Sequence, residues 1–162
     1  AYTNLELLIL HLQNSLHNLA AKIQLESGAR IEGVALIKPE QLRGKKIDKV
    51  TQVEKGIIYT KEKGGKQGEV LVSLKTYAEL ENYLSLNSKF KINRQDYYND
   101  IKQAAIISKE VSEGSHGLRW NFAKRRMFEY GKADYSYYDS LQEVSYEMKH
   151  NRASITEHYL GG

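Results

Sequence analysis

Cysteine is absent from the 162 residues. That excludes a disulfide framework and any thiolate metal site, and it makes a reducing compartment, the cytoplasm, the simpler expectation. Proline occurs once, at Pro39, so no proline-rich linker divides the chain. No apolar run approaches the roughly 20 residues a helix needs to span a bilayer, and no membrane partner is expected. The opening AYTNLELLILHLQ has no basic n-region and no small-residue cleavage site, unlike a signal peptide. It also lacks an initiator Met, so the chain reads as a fragment of something longer or a processed product. No carboxylate cluster has metal-site spacing, and neither a metal nor a cofactor is expected.

What remains is ordinary globular material. The hydrophobic set is 41% and charged residues are 27% of an 18.6 kDa chain, enough for one domain with a real core. The net charge of +4 is unevenly placed. Residues 38–75 hold ten Lys/Arg against five Asp/Glu, while residues 76–162 balance. A local basic surplus suits a polyanionic partner such as nucleic acid, or simply a solvated lysine-rich hairpin.

The hydrophobic period predicts one long amphipathic helix over 4–26, with Leu5, Leu8, Ile9, Leu12, Leu16, Leu19, Ala20 and Ile23 on one face and Gly28 at its end. A shorter helix is expected from Arg30 to about Leu36, and Pro39 opens a turn through Leu42. Strands are expected at Ile47–Val53, Gly56–Thr60 and Glu69–Ser73, forming an antiparallel meander. Helices are expected near 75–85, 94–111, 117–131, 137–149 and 153–160, the last opened by a capping box at Ser154–Glu157. The fold class is α+β: mainly helical, with a small three-stranded antiparallel sheet.

Four short segments carry polar residues in a suggestive order. ESGARIEGVAL places Arg30 just after a helix break. TKEKGGKQGEVLVS puts Lys61, Lys63 and Lys66 on a hairpin rim. SHGLRWNFA sets His116 and Arg119 three apart, on one helical face. VSYEMKHNRASITEHYLG carries His150 and, nine residues on, Tyr159. His11 and His17 are expected to be structural, and Trp120 and Phe122 to be core.

These segments, in this order, resemble the catalytic domain of tyrosine recombinases, the phage-integrase family. The resemblance runs from about Leu5 to Gly161 and implies six catalytic positions: Arg30, Lys63, His116, Arg119, His150 and Tyr159. It implies a single domain over 1–162, an absent N-terminal DNA-binding domain, a double-stranded DNA partner and self-association as a tetramer on DNA. It further implies cleavage and rejoining of DNA through a 3′-phosphotyrosine, without metal or ATP. Three departures stand out. The family commonly has an acidic residue where this chain has Gly33, with Glu32 one earlier. Its usual Gly before the second histidine is Lys149. The stretch from Arg119 to His150 is long, with Ala133–Tyr138 as the insertion.

The residue types suit the chemistry. Guanidinium groups stay charged at any working pH and can hold phosphoryl oxygens in bidentate fashion. A phenol with an ordinary pKa of about 10 needs a base or a positive field to attack. A lysine among arginines can have its pKa lowered and protonate a leaving oxygen; Lys61 and Lys66 compete with Lys63 for that role. A non-catalytic DNA-binding relative and a type IB topoisomerase-like enzyme are the alternatives.

Overall fold

A computed structural model describes residues 1–150 and 153–161, and the side chains of Lys63, Ala153, Ser154 and Tyr159 lie outside the described part. The chain begins with α1 (Leu5–Leu10) and α2 (Ser15–Ser27). The single helix expected over 4–26 is therefore two. The break has a tertiary cause: Asp100 accepts the backbone N–H groups of Gln13 and Asn14 at 2.9 and 3.1 Å and binds His17 Nδ1 at 2.7 Å. Asn14 then caps α2 through its side chain. The apolar period runs through the break because both helices bury the same face in one core.

After α2 the chain turns through Gly28, in the left-handed region at φ 76°. A Cβ here would lie 2.6 Å from the Phe122 ring, so the glycine serves both the turn and a close helix contact. The helix expected over residues 30–36 is a single turn, α3 (Ile31–Val34), with Arg30 as its N-cap. A 3-10 turn follows at Pro39–Gln41, as the proline suggested.

The sheet is an antiparallel meander in the order β1-β2-β3: β1 (Leu42–Ile47), β2 (Glu54–Lys61) and β3 (Gln67–Ser73). The first strand lies earlier than the expected Ile47–Val53, because residues 48–53 form a turn instead. Asp48, 2% exposed, organises that turn. It accepts from Val50 N at 3.0 Å and Lys55 Nζ at 2.7 Å, and it takes Arg126 in a two-pronged pair at 2.8 and 3.1 Å. A buried anion satisfied on every side outweighs the period-2 pattern of Ile47–Val53.

The remaining helices are α4 (Leu74–Leu86), α5 (Arg94–Ile107), α6 (Gly114–Lys132), α7 (Tyr137–Glu147) and α8 (Ala153–Leu160). All five were expected within a few residues. Ser154 lies inside α8 rather than at its cap, and its capping hydrogen bond lies outside the described residues. Two apolar clusters result. The larger joins α1, α2, the sheet, α4 and α5 and includes Ala29, Ile58, Tyr97 and Leu118. The smaller joins α6, α7 and the 48–53 turn through Val50, Phe122, Tyr130 and Met148. His17, expected to be structural, is buried against Asp100; Phe122 is core as expected, whereas Trp120 is half-buried. No described helix is long and apolar enough to cross a membrane.

Candidate active site

The seam between the two clusters gathers polar groups from four parts of the chain. Arg119 sits on α6 between Leu118 of the larger cluster and Phe122 of the smaller. It is 1% exposed, an unusual burial for an arginine. Its Nε donates to the Gly28 carbonyl at 2.7 Å and its Nη2 to the Met148 carbonyl at 3.0 Å. Arg30, from the loop after α2, donates its Nη1 to the same Met148 carbonyl at 3.4 Å. One backbone oxygen at the end of α7 thus holds both guanidinium groups. The left-handed turn at Gly28 and the end of α7 deliver those acceptors; the sequence marks Gly28 as a helix end, but neither carbonyl as a partner of an arginine.

His116 stands one turn before Arg119, in the first turn of α6. The two residues line one cleft of about 990 Å³ with Arg30, Glu32, Arg94, Tyr98 and Ser115. The cleft lies over the N-terminal end of a 19-residue helix, where backbone N–H groups and the helix dipole favour an anion. Partial burial, then the charges of Arg119 and Arg30, hold the His116 pKa below its ordinary value, with Glu32 pulling the other way. The ring is therefore neutral at pH 7 and able to accept a proton.

His150 follows α7 through a left-handed residue, Lys149, at φ 58°. Its backbone N–H reaches back to the Ser145 carbonyl at 2.9 Å, so the helix closes in the manner that usually employs glycine. A lysine in this conformation costs about 1–3 kcal/mol. Two contacts offset that cost: Lys149 Nζ meets Glu62 Oε2 at 3.2 Å, and Lys66 Nζ donates to the Lys149 carbonyl at 2.7 Å. The lysine found where the resemblance leads one to expect glycine is thus pinned from both ends.

The His150 ring is 8% exposed. Its Nδ1 lies 2.7 Å from Thr156 Oγ1, which in turn meets Ser145 Oγ at 2.5 Å. Burial, then the charges of Arg119, Arg30 and Lys66, push its pKa down to about 3. In the unfolded chain the ring titrates near 6.5, so between pH 6.5 and about 3 the unfolded state binds the extra proton. This contribution is complete above pH 6.5 and is lost as pH falls through that window, by up to about 1.4 kcal/mol per pH unit. Thermal melts from pH 7 to 4.5 are expected to show a falling Tm in the wild type and a flatter slope in His150→Gln. Equal slopes would remove His150 as the source.

The hairpin is anchored beside these groups. Glu62 N donates to the Lys66 carbonyl at 2.7 Å, and Lys63 occupies the 3-10 turn Lys63–Gly65 at its tip. Lys61 is exposed, and Lys66 is half-buried against the end of α7. Tyr159 lies on α8, the helix that carries Thr156 and so touches His150. The structure therefore brings Arg30, His116, Arg119 and His150 together, with Lys63 and Tyr159 on adjoining elements; where the side chains of those last two reach is outside the described residues. Sequence reading missed Glu62, Thr156 and Ser145, because nothing in their spacing distinguishes them from ordinary polar residues. Among the described residues no group of His, Asp and Glu could hold a metal ion.

No family model and no curated protein sequence matches the chain. Solved structures do. The chain superposes on the XerH site-specific recombinase in a post-cleavage complex with a palindromic difH substrate, with a TM-score of 0.68 and 17% identity over 99% of this chain. It superposes on the XerA recombinase with a TM-score of 0.65 and 15% identity over 98% of this chain. A lambda integrase dimer bound to a COC′ core site gives a TM-score of 0.67 and 14% identity over 94%. The chain spans 49%, 58% and 44% of the length of those three proteins. At such low identity the likeness speaks for architecture: a mainly helical α+β domain with the fold of the tyrosine recombinases.

Proposed function

We propose that this chain is a catalytic domain that cuts and rejoins double-stranded DNA through a 3′-phosphotyrosine, as a site-specific recombinase or integrase. The observation that carries the reading is the shared Met148 carbonyl, which sets Arg30 and Arg119 side by side in the cleft that His116 also lines. Two adjacent guanidiniums at a helix N-terminus suit a phosphodiester, whose non-bridging oxygens gain negative charge in the transition state. The basic surplus in residues 38–75 suits the flanking DNA backbone, and DNA-bound neighbours of the same fold support that partner. Self-association as a tetramer on DNA belongs to the same reading.

In the proposed reaction the Tyr159 phenol oxygen attacks the scissile phosphorus. A P–O bond to Tyr159 forms as the bond to the 5′ oxygen breaks. Neutral His116 accepts the phenolic proton. The neutral His150 ring offers an N–H to a phosphoryl oxygen, and Lys63 protonates the departing 5′ oxygen. Attack by a 5′ hydroxyl on the phosphotyrosine reverses every bond, so the linkage energy is kept and no ATP is needed.

The lysine role has its own test. A bridging 5′-phosphorothiolate leaves as a thiolate and needs no proton. Lys63→Ala is expected to cleave that substrate at a near wild-type rate while failing on the oxygen substrate. Lys66→Ala, which removes the clasp on the Lys149 carbonyl, is expected to slow both alike. Sulfur-selective rescue at Lys61 or Lys66 instead would move the acid to that residue. Rescue at none of the three would leave Lys63 as a backbone contact, seen as a shallower salt dependence of binding by about one ion.

A further inference from the structure

The cleft's arginine pair leans on a carboxylate that the reaction scheme does not use. Glu62 is the last residue before the hairpin tip, and its side chain is 1% exposed. Oε1 accepts the Arg30 backbone N–H at 3.1 Å and lies 3.5 Å from Arg30 Nη1. Oε2 meets Lys149 Nζ at 3.2 Å and accepts the Thr60 hydroxyl at 2.8 Å. Burial alone would raise its pKa; the charge of Lys149 and the Arg30 and Thr60 hydrogen bonds outweigh that and hold the carboxyl ionised.

The space Glu62 occupies exists because residue 33 is glycine. A Cβ at Gly33 would fall 2.7 Å from Glu62 Cγ and 3.2 Å from its Cδ. The first turn of α3 therefore brings no side chain of its own to this point, and the strand end fills it. Without the carboxylate, Arg30 and Lys149 would be two neighbouring cations with Arg119 and Lys66 close behind. Repulsion in a poorly solvated seam is strong, and Arg30, whose side chain is 20% exposed, has solvent to swing into.

We propose that Glu62 is the positioning residue for Arg30, reaching from the hairpin root into the space left by Gly33 and using Lys149 as its second cation. The proposal rests on the strand-cleavage reading for its effect on rate, though not for its effect on Arg30 itself. Because Glu62 and Lys63 are consecutive, the same carboxylate registers the lysine hairpin against the arginine pair.

Three variants test it: Glu62→Gln, Glu62→Ala, and the exchange Gly33→Glu/Glu62→Ala. Two signals are read on each, the rate of covalent adduct formation with nicked duplex DNA and the NMR resonances of the Arg30 guanidinium. Thermal melts check that each variant folds, and Glu62→Gln, nearly isosteric, guards against collapse of the space. In the wild type the Arg30 guanidinium is expected to be held and its NH₂ resonances resolved. Both single variants are expected to average those resonances and to slow adduct formation by about 10²-fold, the scale of a misplaced reacting group. DNA affinity is expected to stay within about twofold. The exchange is expected to restore the Arg30 signal and most of the rate, because residue 33 then carries the carboxylate into the same space. A merely structural Glu62 would lower Tm without this selective rescue. An unchanged Arg30 signal in Glu62→Ala, or an exchange no better than Glu62→Ala, overturns the proposal. If the wild type itself forms no adduct, the strand-cleavage reading fails and the Arg30 signal alone decides the positioning role.

Discussion

Tyr159→Phe is expected to abolish covalent attachment to DNA, by more than about 10³-fold, while the fold and DNA affinity stay near wild type. The substitution removes one oxygen and keeps the ring, so any loss of adduct reports the nucleophile. The position is favoured by its element: α8 also carries Thr156, which is hydrogen-bonded to His150 beside the two arginines. The chain has 12 tyrosines, and four of them, Tyr2, Tyr77, Tyr97 and Tyr130, are buried. Burial raises the pKa of Tyr97 and of Tyr130, and Tyr130 is further held by Glu147, so both resist ionisation. The exposed competitors are Tyr98 on α5, which lines the cleft, and Tyr137, Tyr138 and Tyr146 on α7, at 48%, 60%, 65% and 75%. An adduct that survives in Tyr159→Phe would point to one of these, Tyr138 first, and away from Tyr159.

The second large effect is expected at Arg119. Arg119→Lys keeps the charge and loses the planar fork. A lysine's donors radiate from a single nitrogen, which cannot stand at both the Nε and Nη2 positions that reach the Gly28 and Met148 carbonyls. Cleavage is expected to fall by about 10²–10³-fold, the scale for removing one preorganised donor to a developing oxyanion. Tm is expected to fall too, because Arg119 is buried and its two carbonyl acceptors would lose partners. The two effects separate at a temperature well below the lowered Tm, where the folded variant should still be slow. A folded Arg119→Lys that cleaves at a near wild-type rate would rule out the phosphate-clamp role.

The parts of this site legible in the sequence are those that chain punctuation marks. Gly28 ends a helix and exposes Arg30; His116 and Arg119 share a face at the start of α6; Gly64 and Gly65 turn the hairpin. Local rules govern these features, and the elements formed where expected. The split first helix and the displaced first strand share one cause, a carboxylate recruited from far along the chain. Asp100 cuts the first helix in two, some 87 residues from Gln13. Asp48 turns an alternating segment into a loop by gathering Arg126, 78 residues away. Glu62 reaches the Arg30 backbone across 32 residues, beside the Gly33 position where the resemblance leads one to expect an acidic residue. Hydrophobic period carries no information about such partners, because a paired carboxylate and a solvated one look the same in sequence.

The claim on which the rest depends is that this chain breaks a DNA strand with a tyrosine. The most direct measurement uses nicked suicide duplexes with randomised flanking sequence, from which the cut fragment diffuses away and traps the intermediate. The wild-type chain is incubated with the pool in EDTA without ATP, and the products are run on a denaturing gel. The adduct is digested and its peptide sequenced by mass spectrometry. Phosphotyrosine chemistry predicts a covalent adduct joined through the 3′ phosphate, a released 5′ hydroxyl, and a nucleotide mass on the peptide that carries Tyr159. A chain that binds the duplexes tightly and yields no adduct, or one attached through a 5′ phosphate, would contradict it.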